Sequence, residues 1–236
     1  MKNTLTIAGR QFRGYFNGPV AYIVICLFVV VLGVFFWPPF FLMGRATVRD
    51  MFSVAGVLLV LTTPAITMGL LAEEKRTGTI ELLITMPVRD WEVILGKYLA
   101  ALGLTAVMLL MTIGYPISVA SLGNLDWGPV WTGYLGLLLQ GAGMLAIGVM
   151  ASSWTENQLI AFFVALVVNA FFWFIDRFLP FFPPSIASPI EWLSMDYHFR
   201  SMARGVIDTR DLVFFVSIVA LSLGLAFRAL ESRRWK

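Results

Sequence analysis

Charge is scarce in this sequence. Only 13% of its 236 residues are charged, 59% are hydrophobic and the mean hydropathy is +0.83. An ordinary soluble domain carries about 25% charged residues. So little polarity cannot clothe a water-facing surface, which excludes a conventional soluble fold. Cysteine is nearly missing: Cys26 stands alone in an apolar run. That excludes an intrachain disulfide and a thiolate metal cluster, and Cys26 reads as a small packing residue. Histidine is as rare. His198, the single one, falls in a loop, away from any intrabilayer serine it would have to serve as base. An intramembrane aspartyl site needs two facing carboxylates, and only Asp176 lies near a span, where its neighbour Arg177 makes it an interfacial anchor. No GxxxxGK[ST] loop is present, so the chain does not bind nucleotide in that mode. Mid-span ionisable residues, usual in proton-coupled carriers, are lacking too. The net charge of +3 does not signal nucleic acid, because the basic residues gather at the ends of apolar runs. No catalytic and no metal site is expected.

What the chain has instead is apolar length. A bilayer-crossing helix needs about 20 apolar residues. Six runs qualify: Pro19 to Trp37, Met51 to Ala72, Tyr98 to Ser121, Gly128 to Ser152, Leu159 to Ile175 and Leu212 to Phe227. Between Asp126 and Glu156 there is no charged residue. The sixth run is the shortest, and Arg228 at its end can reach the headgroups. Pro116 and several glycines interrupt runs three and four, which membrane helices tolerate where neighbours re-satisfy the backbone. With six spans, the termini and the loops after spans two and four share a side. That side carries Lys2, Arg10, Arg13, Lys75, Arg76, Arg89, Lys97, Arg228, Arg233, Arg234 and Lys236, eleven in all, against six on the other: Arg45, Arg49, Arg177, Arg200, Arg204 and Arg210. Both termini are therefore expected in the cytoplasm. The run after Asn17 is long and has no small-residue cleavage site, so no cleavable signal is expected. The chain reads as one all-α membrane domain over residues 1–236.

Three segments are more than spans or plain links. Residues 1–17 set Leu5, Ala8, Phe12, Tyr15 and Phe16 at helical spacing, with Asn3, Thr6, Arg10 and Arg13 opposite. This is the pattern of an amphipathic helix lying in the membrane interface, although a topology anchor is the simpler alternative. Residues 73–97, EEKRTGTIELLITMPVRDWEVILGK, open on a mixed-charge cluster. Thr79 caps a short helix with Glu81 in its first turn, Pro87 stops that helix, and Asp90 caps the next. Ile80, Leu83 and Ile84 form one apolar face. Composition alone allows a mere hairpin, but an apolar face outside the membrane favours a protein partner. Residues 178–210 are broken by Pro180, Pro183, Pro184 and Pro189. Ser188-Pro189-Ile190-Glu191 fits a capping box. Phe199, Met202, Ala203 and Val206 share a face that ends near Gly205. Short amphipathic helices dipping into the outer leaflet are expected there, with a surface loop as the alternative.

The run Glu74-Lys75-Arg76, Gly78-Thr79, Glu81-Leu82-Leu83, Pro87 and Gly96-Lys97 resembles the signature of the second family of ABC-type export permeases. Ala151-Ser152-Ser153 with Glu156-Asn157-Gln158 is similar to that family's shorter cytoplasmic contact between spans four and five. The stretch Gly205 to Asp211, with Arg233-Arg234-Trp235, resembles the gliding-motility and nitrous-oxide-maturation branch. The resemblance implies an N-terminal elbow helix bearing Arg10, Phe12 and Arg13, six transmembrane helices, and short re-entrant outer helices between spans five and six. It implies that Glu74, Lys75, Arg76, Gly78, Thr79, Ile80, Glu81, Leu82, Leu83, Ile84 and Pro87 belong to a coupling helix that docks on a separate ATPase. Ser153, Glu156 and Asn157 would form the second contact. ATP and magnesium are expected on that ATPase and no cofactor on this chain. Further implied partners are a second permease copy, membrane lipid and an outer auxiliary protein, in the inner membrane of a bacterium. No nucleic acid is expected. Phe35, Phe36, Trp37, Phe40 and Phe41, with Phe171, Phe172 and Trp173, lean toward an amphiphilic substrate. The rival functions are an ATP-independent secondary carrier and a force-transmitting scaffold that moves no solute.

Overall fold

The computed structural model describes residues 2–78, 89–181, 183 and 190–231. They form α1 (Lys2–Asn17), α2 (Val20–Met43), α3 (Arg49–Thr67), α4 (Gly69–Arg76), α5 (Asp90–Met111), α6 (Gly114–Leu122), α7 (Trp127–Trp154), α8 (Gln158–Phe174), a 3-10 turn over Ile175–Phe181, α9 (Met195–Ala203) and α10 (Thr209–Glu231). No strand occurs among the described residues. Six stretches are long and apolar enough to cross a membrane: Val20–Met43, Arg49–Arg76, Asp90–Leu122, Trp127–Trp154, Gln158–Leu179 and Thr209–Glu231. They are the six runs expected from the sequence, the first lengthened at its far end and the other five at both ends. The protein is an all-helical, multi-pass membrane protein.

Local chemistry sets the boundaries. Gly44, at φ 61°, closes α2, its amide donating to the Phe40 carbonyl at 3.1 Å. A side chain there would strain the left-handed backbone. Asp126 Oδ1 accepts from the Gly128 amide at 3.0 Å and opens α7, and Asn157 Oδ1 accepts from the Leu159 amide at 2.9 Å and opens α8. Asp90, expected to cap α5, is instead its first helical residue. The cap comes from Glu92, whose carboxylate takes the Arg89 amide at 3.2 Å.

α7 is the axis of the fold, with 78% of its apolar length buried against 17–22% for the first, fifth and sixth spans. Lipid tails are as apolar as leucine, so helices associate here through close packing over small residues. Two glycines of α7 decide how near α3 can come. A Cβ on Gly133 would stand 2.2 Å from the Phe52 ring, and one on Gly148 would stand 2.0 Å from Thr67 Oγ1. Lower down, the Leu71 amide donates to Ser152 Oγ at 3.1 Å. Phe52 with Gly133, Thr67 with Gly148 and Leu71 with Ser152 are all separated by the same 81 residues. The second and fourth spans therefore run side by side in one direction and one register over about 28 Å at the helical rise of about 1.5 Å per residue. α10 and α9 cover other faces of α7, with Phe215 against Gly143 and Phe199 and Met202 against Gly136.

α1 lies along α5. The Asn3 amide group donates to Glu92 at 3.2 Å, Ile7 packs where a Cβ on Gly96 would go, and Phe12 does the same at Gly103. The contacts advance together on both helices, so α1 follows the first turns of α5 in the same direction. Its buried edge is led by Thr4 and Ile7, while Leu5, expected on the apolar face, is 68% exposed. Val206, expected on the apolar face after span five, lies beyond α9 and is also exposed. The Ser188–Glu191 capping box falls largely outside the described residues.

Gly148→Ala pushes a methyl group into Thr67 and costs about 1–3 kcal/mol, read as a lower melting temperature in detergent. Gly224→Ala, whose added methyl meets nothing within 4 Å, leaves the melting temperature unchanged.

Candidate functional site

The candidate site lies at the end of the bundle where α4, the start of α5, the close of α7 and the start of α8 meet. Helix breaks leave first-turn amides and last-turn carbonyls without partners, and here neighbouring helices supply them. Ser152 Oγ accepts from the Leu71 and Ala72 amides at 3.1 and 3.0 Å and donates to the Met68 carbonyl at 3.0 Å. One hydroxyl on α7 thus pins the break between α3 and α4. Lys75 Nζ donates to the Ser153 carbonyl, placing a cation at the negative end of the α7 dipole. Lys97 Nζ donates to the Leu70 carbonyl at 2.7 Å and to Glu74 Oε1 at 2.6 Å. These lysines are buried, at 8% and 4% exposure. Burying an ammonium is tolerated because acceptors meet it.

The residues singled out from the sequence divide into three groups. Glu74, Lys75 and Ser153 face inward and join α4 to α5 and α7. Arg76 is exposed and pairs with Glu73 at 2.7 Å on the surface. Gly78 turns the chain out of α4 at φ 70°, a value suited to glycine. Glu156 and Asn157 are exposed, and Asn157 caps α8. Arg10 and Arg13 project outward from α1, whereas Phe12 packs on α5. Thr79, Ile80, Glu81, Leu82, Leu83, Ile84 and Pro87 lie outside the described residues. The two segments expected to contact a partner, around 74–78 and 153–157, are brought together at this end through Lys75 and Ser152.

The opposite end carries a second polar knot, of which residue spacing discloses only the Asp196–Arg200 pair, four apart on α9. Arg200 Nη2 donates to Asp196 Oδ2 at 2.6 Å and also to Asp176. Asp176 therefore pairs across the fold with α9, while its neighbour Arg177 lies over the Trp173 ring at 5.7 Å. His198 is buried, with Nε2 3.0 Å from the Trp192 carbonyl and Nδ1 2.7 Å from Asp211 Oδ1. Ser201 donates to the other oxygen of Asp211. Among the described residues the two ring nitrogens meet Asp211 and the Trp192 carbonyl, and together with Ser201 they clasp α9 to α10. Burial pushes the Asp196 carboxyl above its ordinary range, with Arg200 opposing the shift. On Arg200, burial works against the charge but the two carboxylates outweigh it and hold the guanidinium protonated. The two partners differ because Arg200 keeps 51% of its side chain exposed and Asp196 only 6%.

The profile of the family described as ABC-2 family transporter protein matches residues 44–202. That is more than half of the chain, and the chain belongs to this family. Membership makes it a membrane permease subunit of an ABC transporter, with an ABC ATPase as its partner. The match contains α3 to α8, nearly all of α9 and both segments of the candidate site. No curated protein matches the chain.

Lys97→Met removes the cation that bridges Glu74 Oε1 and the Leu70 carbonyl and costs about 3 kcal/mol. Lys97→Met with Glu74→Gln recovers most of that loss, as a double-mutant cycle of thermal melts reads directly. Arg200→Gln removes the cation that Asp196 needs when charged. A buried acid with a raised folded value contributes stability below its unfolded pKa and loses it as pH rises through the folded one. The melting-temperature gap between Arg200→Gln and the parent is therefore wide at about pH 7 and narrows toward about pH 4, where Asp carboxyls protonate.

Proposed function

We propose that this ABC-2 permease is the membrane half of an ATP-driven exporter, and that its ATPase docks on the end formed by α4, residues 79–88 and residues 153–157. The observation that carries this reading is the stitching of α4 to α7, by Ser152 to the Leu71 and Ala72 amides and by Lys75 to the Ser153 carbonyl. It makes the two contact segments one body that is continuous with the second and fourth spans. A push on α4 then moves α3 and α7 together. Ile80, Leu83 and Ile84 seat in a groove of the partner, while Arg76 and Glu81 set register by charge complementarity. ATP and magnesium belong to that subunit. The lysine and arginine balance supports a cytoplasmic site for this end and for both termini, in a bacterial inner membrane.

The elbow role of α1 is supported by its attachment to the start of α5 through Asn3, Ile7 and Phe12. A homodimer around one pathway is supported by the apolar faces of α2, α8 and α10, each exposed in the single chain. α9, packed on Gly136 of the axis, is suited to gate the outer exit as a re-entrant element. A second reading, transmission of force to an outer protein as in the gliding-motility branch, draws support from the same α9–α10 clasp, which ties the outer surface to the sixth span.

Glu81→Arg and Leu83→Asp each abolish co-purification of the cognate ATPase while membrane insertion stays normal. Retention of the ATPase by both variants removes the coupling assignment. Proton-driven uptake by the permease alone, with no ATPase co-purifying from native membranes, replaces the exporter reading by a secondary carrier.

A further inference from the structure

We propose that the α9 end holds a binding site for an amphiphile with a net anionic, phosphate-bearing headgroup, the head in an arginine-lined cleft and the chain along α10. The cleft encloses about 640 Å³, within the range of about 300–1,000 Å³ typical of small-molecule sites. Arg49, Arg177, Arg204 and Arg210 line it from four different elements. All four are exposed and none pairs with a carboxylate among the described residues. The acids in the wall are largely spoken for. Asp196 is held by Arg200, Asp211 by His198 and Ser201, and Asp208 accepts from the Arg210 amide at 2.9 Å. Asp208 and Glu191 keep their charge on the accessible wall, so the four arginines outnumber them there. α3 and α10 also begin at the rim, adding the positive ends of their dipoles. Every cation at this end is an arginine. The planar fork of arginine matches the oxygens of phosphate.

The tail is indicated by a second, shallower cavity of about 400 Å³. It shares Trp192, His198 and Arg210 with the cleft and continues along α10 past Val213, Phe214 and Ser217. The cleft wall is ionic, whereas this groove is mainly apolar and follows a helix that crosses the membrane. A soluble anion has no use for the groove, and a neutral lipid has no use for the arginines. Trp192 stands at the junction, its ring 6.0 Å beneath the Arg210 guanidinium. The site adds to the transporter reading without depending on it, because binding is measured on the chain alone.

The test uses the full chain in phosphatidylcholine nanodiscs, titrated with phosphatidylglycerol or phosphatidylcholine brominated on the acyl chain. Quenching at the junction is the difference between the parent and Trp192→Phe. Phosphatidylglycerol is expected to half-quench at a mole fraction about tenfold lower than phosphatidylcholine, the gain that charge-assisted hydrogen bonds supply. Arg204→Gln with Arg210→Gln brings the two lipids within about twofold, while Arg45→Gln, at the same end but outside the cleft, keeps the full preference. Val213→Asp, in the groove, weakens quenching by phosphatidylglycerol. Equal quenching by both lipids in the parent, or a preference that survives the double arginine variant, overturns the proposal. Calorimetric binding of inorganic pyrophosphate, with lipid quenching unaffected by Val213→Asp, makes this a soluble-anion site and removes the amphiphile.

Discussion

The near contact of α3 and α7 is the constraint on which the remaining structure rests. Water is absent from a bilayer core, and apolar side chains gain little by leaving lipid for one another. Two spans stay together only if their surfaces interlock. Gly133 and Gly148 allow this by leaving no side chain where Phe52 and Thr67 must sit. The register they set carries down to Ser152, which meets the Leu71 and Ala72 amides. Had either glycine been larger, the helices would stand apart and the hydroxyl would miss its amides. The polar ties at the α4 end are thus a consequence of packing in the middle of the membrane.

Both ends of this axis bury charge, but they use it differently. At the α4 end Lys75 and Lys97 bond to helix carbonyls as well as to a carboxylate, so the cations serve to hold backbone. At the α9 end the partners are side chains, and Arg200 bridges acids from two elements. A ligand or partner that draws on Arg200 or Asp211 would loosen α9 from the bundle. One that presses on α4 would instead move α3 and α7 as a unit. One end thus yields and the other transmits.

Much of this was legible in the sequence. The six spans followed from run length, because the bilayer thickness is a ruler that composition answers directly. The helical character of residues 2–17 followed from periodicity, which did not tell which edge α5 would cover, the one led by Thr4 and Ile7. What could not be read was which charge meets which. Glu74 and Lys75 stand in a charged run that looks like a docking surface, yet their described partners lie 23 and 78 residues away and inside the protein. His198 and Asp211 are 13 residues apart with a turn between them, and no local period links them. Asp196 and Arg200, four residues apart on one helix, were the one local signal of that knot. The segment expected to meet the ATPase rests on motif resemblance, because residues 79–88 lie outside those described.

The bond between Ser152 and the start of α4 also bears on how the chain is made. The Leu71 and Ala72 amides meet an acceptor that emerges from the ribosome some 80 residues later. At about 5–20 residues per second, the second span waits on the order of ten seconds for the fourth. During that interval its lower end carries donors that lipid cannot satisfy, so it must rest against water at the headgroups or against the insertion machinery. The α4 end therefore takes its final form only once the fourth span has been made, and the His198–Asp211 clasp at the opposite end follows later still.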